Sequence, residues 1–209
     1  MIEFQGFGKI ARLNRDIIVT EKIDGTNAAI GIVAVEDSFT YDAINDGRLH
    51  AKIIDDIYGN LFAVYAQSRK RIIYPGQDNY GFAAYVYDHA DTLVNDLGVG
   101  LHFGEWWGGG IQRAYGLDKD DKRFSLFNVK RWAAIPFTTE RLGVVPVLYT
   151  GPFSLQFVNG RLVELAFKGS AAAPGFMRPE GVVIYHTAAK QLFKVTLVGD
   201  EKPKGLTTC

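Results

Sequence analysis

The sequence predicts an α+β fold built on antiparallel sheets, and three observations predict it. Short β-prone runs outnumber helical patterns along the chain. Strands and helices do not alternate as they do in a parallel βαβ domain, and no Gly-x-Gly-x-x-Gly segment follows a strand. No internal repeat, low-complexity tract or Pro/Gly-rich linker interrupts the 209 residues, which suits one domain spanning residues 1–209.

The elements follow in order. Ile17-Ile18-Val19-Thr20 is a short β-prone run, and Ala28 to Val35 reads as a second, buried strand. Asp24-Gly25 between them is a turn signal, so the pair is expected to form a strand–turn–strand unit with Lys22 at a sheet edge. Phe82, Tyr85, Val86, His89, Leu93 and Leu97 recur at three- and four-residue spacing before Gly98, which predicts one amphipathic helix over 81–97 with His89 packed on its apolar stripe. Leu101 to Trp107 and Phe124 to Val129 read as strands. Residues 154–168 read as a helix closed by Gly169, despite Gly160 inside it. Gly181 to Tyr185 and Leu192 to Val198 are β-rich and separated by a short polar stretch, the pattern of an antiparallel hairpin.

Composition narrows the class. Hydrophobic residues make up 47% of the chain, with 14 Phe, 10 Tyr and 3 Trp, which is globular rather than disordered composition. The single cysteine, Cys209, excludes a disulfide framework or a cysteine-based metal site within the chain, and a cytoplasmic setting is the simple expectation. No apolar stretch is long enough to span a membrane, and the first residues lack the pattern of a signal peptide. Formal net charge is zero, which argues against a large nonspecific nucleic-acid footprint but not against a small site that grips chain ends. Local basic clusters do occur at Arg69-Lys70-Arg71, at Lys130-Arg131, and among Lys190, Lys194, Lys202 and Lys204; any of them also suits a solvated face.

The most informative segment is Glu21-Lys22-Ile23-Asp24-Gly25-Thr26-Asn27. Taken alone, a lysine two residues before Asp-Gly is a surface lysine before a turn. Its weight comes from the segments that follow in order: Ser68-Arg69, Phe103-Gly104-Glu105, Phe124-Ser125-Leu126-Phe127, Glu180-Gly181-Val182-Val183-Ile184 and Phe193-Lys194-Val195. This ordered set resembles motifs I, Ia, III, IIIa, IV and V of the covalent nucleotidyltransferases, the superfamily of ATP-dependent RNA ligases, DNA ligases and mRNA capping enzymes. The likeness is greatest to phage-type ligases of the RNA ligase 2 kind. Thr26-Asn27 follows Asp-Gly where DNA ligases usually carry an arginine at the second position. Asp78-Asn79-Tyr80-Gly81-Phe82 and Glu105-Trp106-Trp107-Gly108 with Gly110-Ile111-Gln112-Arg113 add to the likeness.

The resemblance implies a nucleotidyltransferase (adenylation) domain that joins 5′-phosphate and 3′-hydroxyl RNA ends through a lysyl-AMP intermediate at Lys22, with ATP as cosubstrate and Mg²⁺ or Mn²⁺ as cofactor. It implies that Lys194 offsets phosphate charge and that Glu180 binds the divalent ion or its waters. Arg69 would hold a phosphate or the ribose, Glu105 the ribose hydroxyls, and Glu21 the adenine edge. Asn27 would act near the reacting ends. Phe127 would stack on the adenine, with Phe124 as the competing candidate. A lysine ammonium is not nucleophilic; desolvation or neighbouring cations ease loss of its proton. Two departures stand out. Thr196 occupies the position of a second motif V lysine, and little sequence follows Lys194, so no C-terminal OB-fold or other second domain is expected. Sealing of DNA or of a nicked duplex, a capping-type guanylyltransferase, and a noncatalytic nucleotide- or RNA-end-binding module are the alternatives.

Overall fold

A computed structural model describes residues 3–199. In chain order it contains β1 (Asp16–Lys22), β2 (Thr26–Ala34), α1 (Ser38–Asn45), β3 (Lys52–Asp55), β4 (Leu61–Ser68), β5 (Ile72–Ile73), α2 (Phe82–Asp88), α3 (Ala90–Leu97), β6 (Gly100–Gly108), β7 (Lys122–Leu126), α4 (Val129–Trp132), β8 (Leu142–Val144), β9 (Val147–Pro152), α5 (Leu155–Lys168), β10 (Gly181–His186) and β11 (Gln191–Thr196), with a 3-10 turn at Ala114–Gly116. The fold is α+β and almost every strand pairing is antiparallel, as the sequence predicts; β7 and β8 run parallel. The chain divides into two compact units, one of Asp24–Val145 and one of the residues up to Ile23 together with those from Pro146 onward.

The unit formed by the two ends of the chain holds a four-stranded sheet in the order β11-β10-β1-β9. Its core is Ile17, Val19, Val182 and Ile184 against Val158 and Leu165 of α5. Strand side chains alternate between faces, so Ile17, Val19 and Glu21 point toward α5 while Ile18, Thr20 and Lys22 take the other face. Directly paired residues share a face. Lys22 pairs with Gly181, Gly181 with Thr196, and Val183 with Lys194. The hairpin of β10 and β11 is the one read from the sequence.

The Asp24–Val145 unit holds a larger sheet with main order β3-β4-β2-β6-β7-β8, and β5 paired to β4. Helices α2 and α3 cover one face. Ile30, Val64, Phe82, Val86, Leu93, Trp106, Phe124 and Leu126 form the core between them. The opposite face carries Asn27, paired with Glu105, and Glu105 in turn pairs with Ser125.

Four local expectations are corrected. β1 and β2 do not form a hairpin: β1 lies between β9 and β10, and β2 lies between β4 and β6. A tight hairpin glycine supplies a positive φ, but Gly25 is not among the positive-φ residues; a Cβ there would lie 2.4 Å from the Trp106 carbonyl oxygen and 2.7 Å from Trp107 Cβ. Gly25 is required for close approach, not for a hairpin. Consequently Lys22 ends an interior strand rather than lying on an edge strand. The expected helix over 81–97 is two helices broken at His89 (φ −109°, ψ 15°), whose ring Nδ1 lies 2.9 Å from the Tyr85 carbonyl. Finally, β7 stops at Leu126 because Asn128 caps α4, its side chain accepting the Arg131 amide.

The alternation in β7 sets a stability contrast. Phe124 is fully buried, whereas Phe127 is 40% exposed. Phe124→Ala is expected to cost about 3–5 kcal/mol in urea unfolding, and Phe127→Ala no more than about 1 kcal/mol.

Candidate active site

The residues singled out in the sequence fall into two sets, one in each unit. In the four-stranded unit, Lys22 Nζ donates to a Glu180 carboxylate oxygen as an ion pair, with side-chain exposures of 22% and 15%. Glu180 immediately precedes β10, and the pairing of Lys22 with Gly181 brings the end of β1 beside it. Gly181 has φ 155° and no room for a Cβ, which would meet the Val195 carbonyl at 2.1 Å. The glycine lets the β11 backbone approach closely at the centre of the row Lys22–Gly181–Thr196. Lys194 lies on the same face, two residues along β11 from Thr196, and is exposed. The Thr196 hydroxyl, standing where a second lysine is expected, donates to the Val198 carbonyl at 3.1 Å. Lys202 and Lys204 lie outside the described residues.

Glu21 takes the opposite face. It is 1% exposed, and its carboxylate accepts the Ser170 hydroxyl at 2.6 Å and the Ala171 and Ala172 amides at 2.7 and 2.9 Å. Its own amide donates to the Pro146 carbonyl. Burial pushes the Glu21 carboxyl above the ordinary glutamate value, and the Ser170, Ala172 and Ala171 donors bring it only part of the way back. The alternation that points Lys22 one way thus sends its neighbour into the sheet's covered side.

In the other unit, Asn27, Glu105 and Phe127 occupy one face of the large sheet. Asn27 and Glu105 are direct partners. Phe127 continues the alternation of β7 onto the face of Ser125, and its amide donates to the Phe103 carbonyl at 3.0 Å. Phe124 is committed to the core, so of the two phenylalanines Phe127 is the one with an open ring. Arg69 is exposed and follows Ser68, the last residue of β4, which pairs with Ala28.

A clamp on Asp24-Gly25 completes this unit, and only part of it was visible in the sequence. The Gly25 amide donates to Glu105 Oε1 at 3.1 Å, the Asp24 amide to the Tyr115 hydroxyl at 2.7 Å, and Arg113 Nε to Asp24 Oδ2 at 2.8 Å. Arg113 stands in the Gly110-Ile111-Gln112-Arg113 likeness, but no spacing signalled Tyr115. The loop bearing both is strained: Gln112, Ala114 and Tyr115 have φ of 43°, 56° and 52°. Each left-handed nonglycine residue costs on the order of 1 kcal/mol or more. Tyr115 is held there by burial at 2% exposure and by an edge-on contact with Trp107, ring centroids 5.1 Å apart. Trp107 is itself fixed by its Nε1, which donates to the Ser125 hydroxyl at 2.9 Å. Among the other cationic candidates, Arg131 is used structurally, donating to the Leu97 carbonyl and lying over Trp132.

Two outcomes follow. Tyr115→Phe removes the acceptor of the Asp24 amide and is expected to cost about 1–3 kcal/mol in unfolding free energy. For Glu21, the folded state holds the proton more tightly than the unfolded chain. Its contribution is therefore full below the ordinary glutamate range and is lost as pH rises through the raised folded value. Chemical denaturation at pH values between about 4 and 8 should show this decline in the parent protein and a smaller one in Glu21→Gln.

Among the described residues no group of three or more His, Cys, Asp or Glu side chains could hold a metal ion, and no helix is long and apolar enough to cross a membrane. No curated protein matches the chain. The family model described as RNA ligase matches residues 15–196, a span that includes every site residue discussed above from Glu21 to Lys194. The chain belongs to the RNA ligase family.

Proposed function

We propose that the protein is an ATP-dependent RNA ligase that joins a 5′-phosphate to a 3′-hydroxyl through AMP held covalently on Lys22. The observation that carries the reading is the Lys22–Glu180 ion pair at the end of an interior strand, with Lys194 on the same sheet face. In the first step the Lys22 nitrogen attacks the α-phosphorus of ATP, an N–P bond forms, and the P–O bond to pyrophosphate breaks. Glu180 is the base already in contact with the amine, and it takes the proton that Lys22 must shed. Lys194 offsets charge on the phosphate as it develops. AMP then passes to the RNA 5′-phosphate, and attack by a 3′-hydroxyl expels AMP and seals the strand.

The remaining roles follow the same reading. Glu105, whose Oε1 already holds the Gly25 amide, accepts from the ribose hydroxyls, and Phe127 stacks on the adenine. Arg69 holds a phosphate or the ribose, and Asn27 acts near the joined ends. Glu21 reads the adenine edge only if it yields one of its three present donors. A single part-buried carboxylate at Glu180 fits Mg²⁺ or Mn²⁺ that arrives with the nucleotide, because such an ion keeps waters and phosphate oxygens as its other ligands. The ion would supply charge neutralisation on the phosphates. We place this work in the cytoplasm. One observation favours a second reading: Thr196 fills the row opposite Lys22 where a cation is expected, which suits an RNA-end-binding module without turnover.

Intact mass after incubation with each nucleoside triphosphate and Mg²⁺ separates these. The expected result is a gain of one AMP from ATP only, abolished in Lys22→Ala and slowed at least about a hundredfold in Glu180→Gln. A GMP adduct would assign capping chemistry, and absence of any adduct across pH would sink the ligase reading. Sealing of 5′-phosphorylated RNA but not DNA is expected; the reverse would overturn the substrate.

A further inference from the structure

The turn between β4 and β5 gathers three cations, of which the adenylation chemistry uses Arg69 and leaves Lys70 and Arg71. It is closed by the Ser68 amide and hydroxyl, both donating to the Arg71 carbonyl at 2.8 and 3.2 Å. Arg69 and Lys70 project from it into solvent, and among the described residues neither they nor Arg71 are paired with a carboxylate. Arg71 donates to the Gln77 side chain at 3.2 Å, and the Gln77 amide donates to the Tyr74 carbonyl at 2.9 Å. On Tyr74 lies the ring of His50, stacked with centroids 3.6 Å apart and planes 22° from parallel. His50 is exposed, so the stack ends in an open ring face. The nearest acid in sequence, Asp78, is turned inward and accepts the amides of Asn79, Ala83 and Ala84 at the start of α2. Asn79 in turn donates to the Thr26 hydroxyl at 3.0 Å, tying the patch to the strand that carries Asn27.

We infer that this surface is a docking site for a single-stranded RNA segment adjoining the ends to be joined: Lys70 and Arg71 take backbone phosphates, and one base stacks on the outer face of His50. Three clustered cations on a chain of zero net charge suit a polyanion. The flat, open-ended ring pair selects nucleic acid over an acidic peptide, because every base has a face to stack. It selects single strands over duplex, whose bases already stack on one another. The identity of the polyanion rests on the ligase reading; the surface itself does not.

The test measures binding of the full chain to a short 5′-phosphorylated RNA by fluorescence anisotropy at several salt concentrations, with lysyl-AMP formation followed in parallel by mass. Lys70→Ala should weaken binding and reduce the slope of log affinity against log salt by about 0.7. His50→Ala should weaken binding roughly 5- to 150-fold, the range of one lost base–aromatic stack, with the salt slope unchanged, and His50→Phe should restore it. Lysyl-AMP formation should be unchanged in all three. Parent-like RNA affinity in Lys70→Ala and His50→Ala would overturn the inference, as would equal competition by duplex RNA or polyglutamate. If the variants behave as stated but the parent protein forms no lysyl-AMP, the docking surface stands and the ligase reading falls.

Discussion

Two charged residues in succession close β1, and a strand has only two faces on which to place them. Glu21 is directed into the covered side of its sheet and Lys22 onto the other. Neither charge can be left alone in partly dry surroundings, so the unit is built around satisfying both. The segment after α5 supplies a hydroxyl and two amides to Glu21, and the residue before β10 supplies a carboxylate to Lys22. β10 is therefore held at one register with β1 by more than its ladder. A slip of one residue would exchange the faces, burying the ammonium and exposing the apolar set.

The same economy governs Asp24-Gly25. Its glycine is needed because the Trp106 backbone and Trp107 side chain approach too closely for any Cβ. Its amides are not left to water but are taken by Tyr115 and Glu105, and its carboxylate by Arg113. The strained run from Gln112 to Tyr115 is the cost of delivering Arg113 and Tyr115 to one turn. Strain of this kind persists only where surrounding contacts over-determine it, and the buried, edge-packed Tyr115 ring provides them.

Much of the fold was legible where one residue pattern served one structural end. The β10–β11 hairpin, α5 with its closing Gly169, and β6 all follow their patterns. Legibility failed where a residue served two. Gly25 carried a turn signal but is required for space; His89 lay on an apolar stripe but bonds the carbonyl one turn back and breaks the helix; Asn128 sat in a β-prone run but caps a helix. Strand β9 pairs with β1, far away along the chain, so short-range pattern gave it little contrast.

By itself the sequence determined the family, the order of the motifs and the residue type at each motif position, because these depend on residue identity and order along the chain. It also determined that Phe124 and Phe127 fall on opposite faces, since alternation is local. Only the tertiary structure decided which face is core, that Lys22 ends an interior strand, and that its ion-pair partner is Glu180. It alone revealed Tyr115 beneath Asp24 and Ser170 beneath Glu21. Those contacts join residues 91 and 149 positions apart. Pairing at such separation is set by strand register and packing, which no local pattern of residues records.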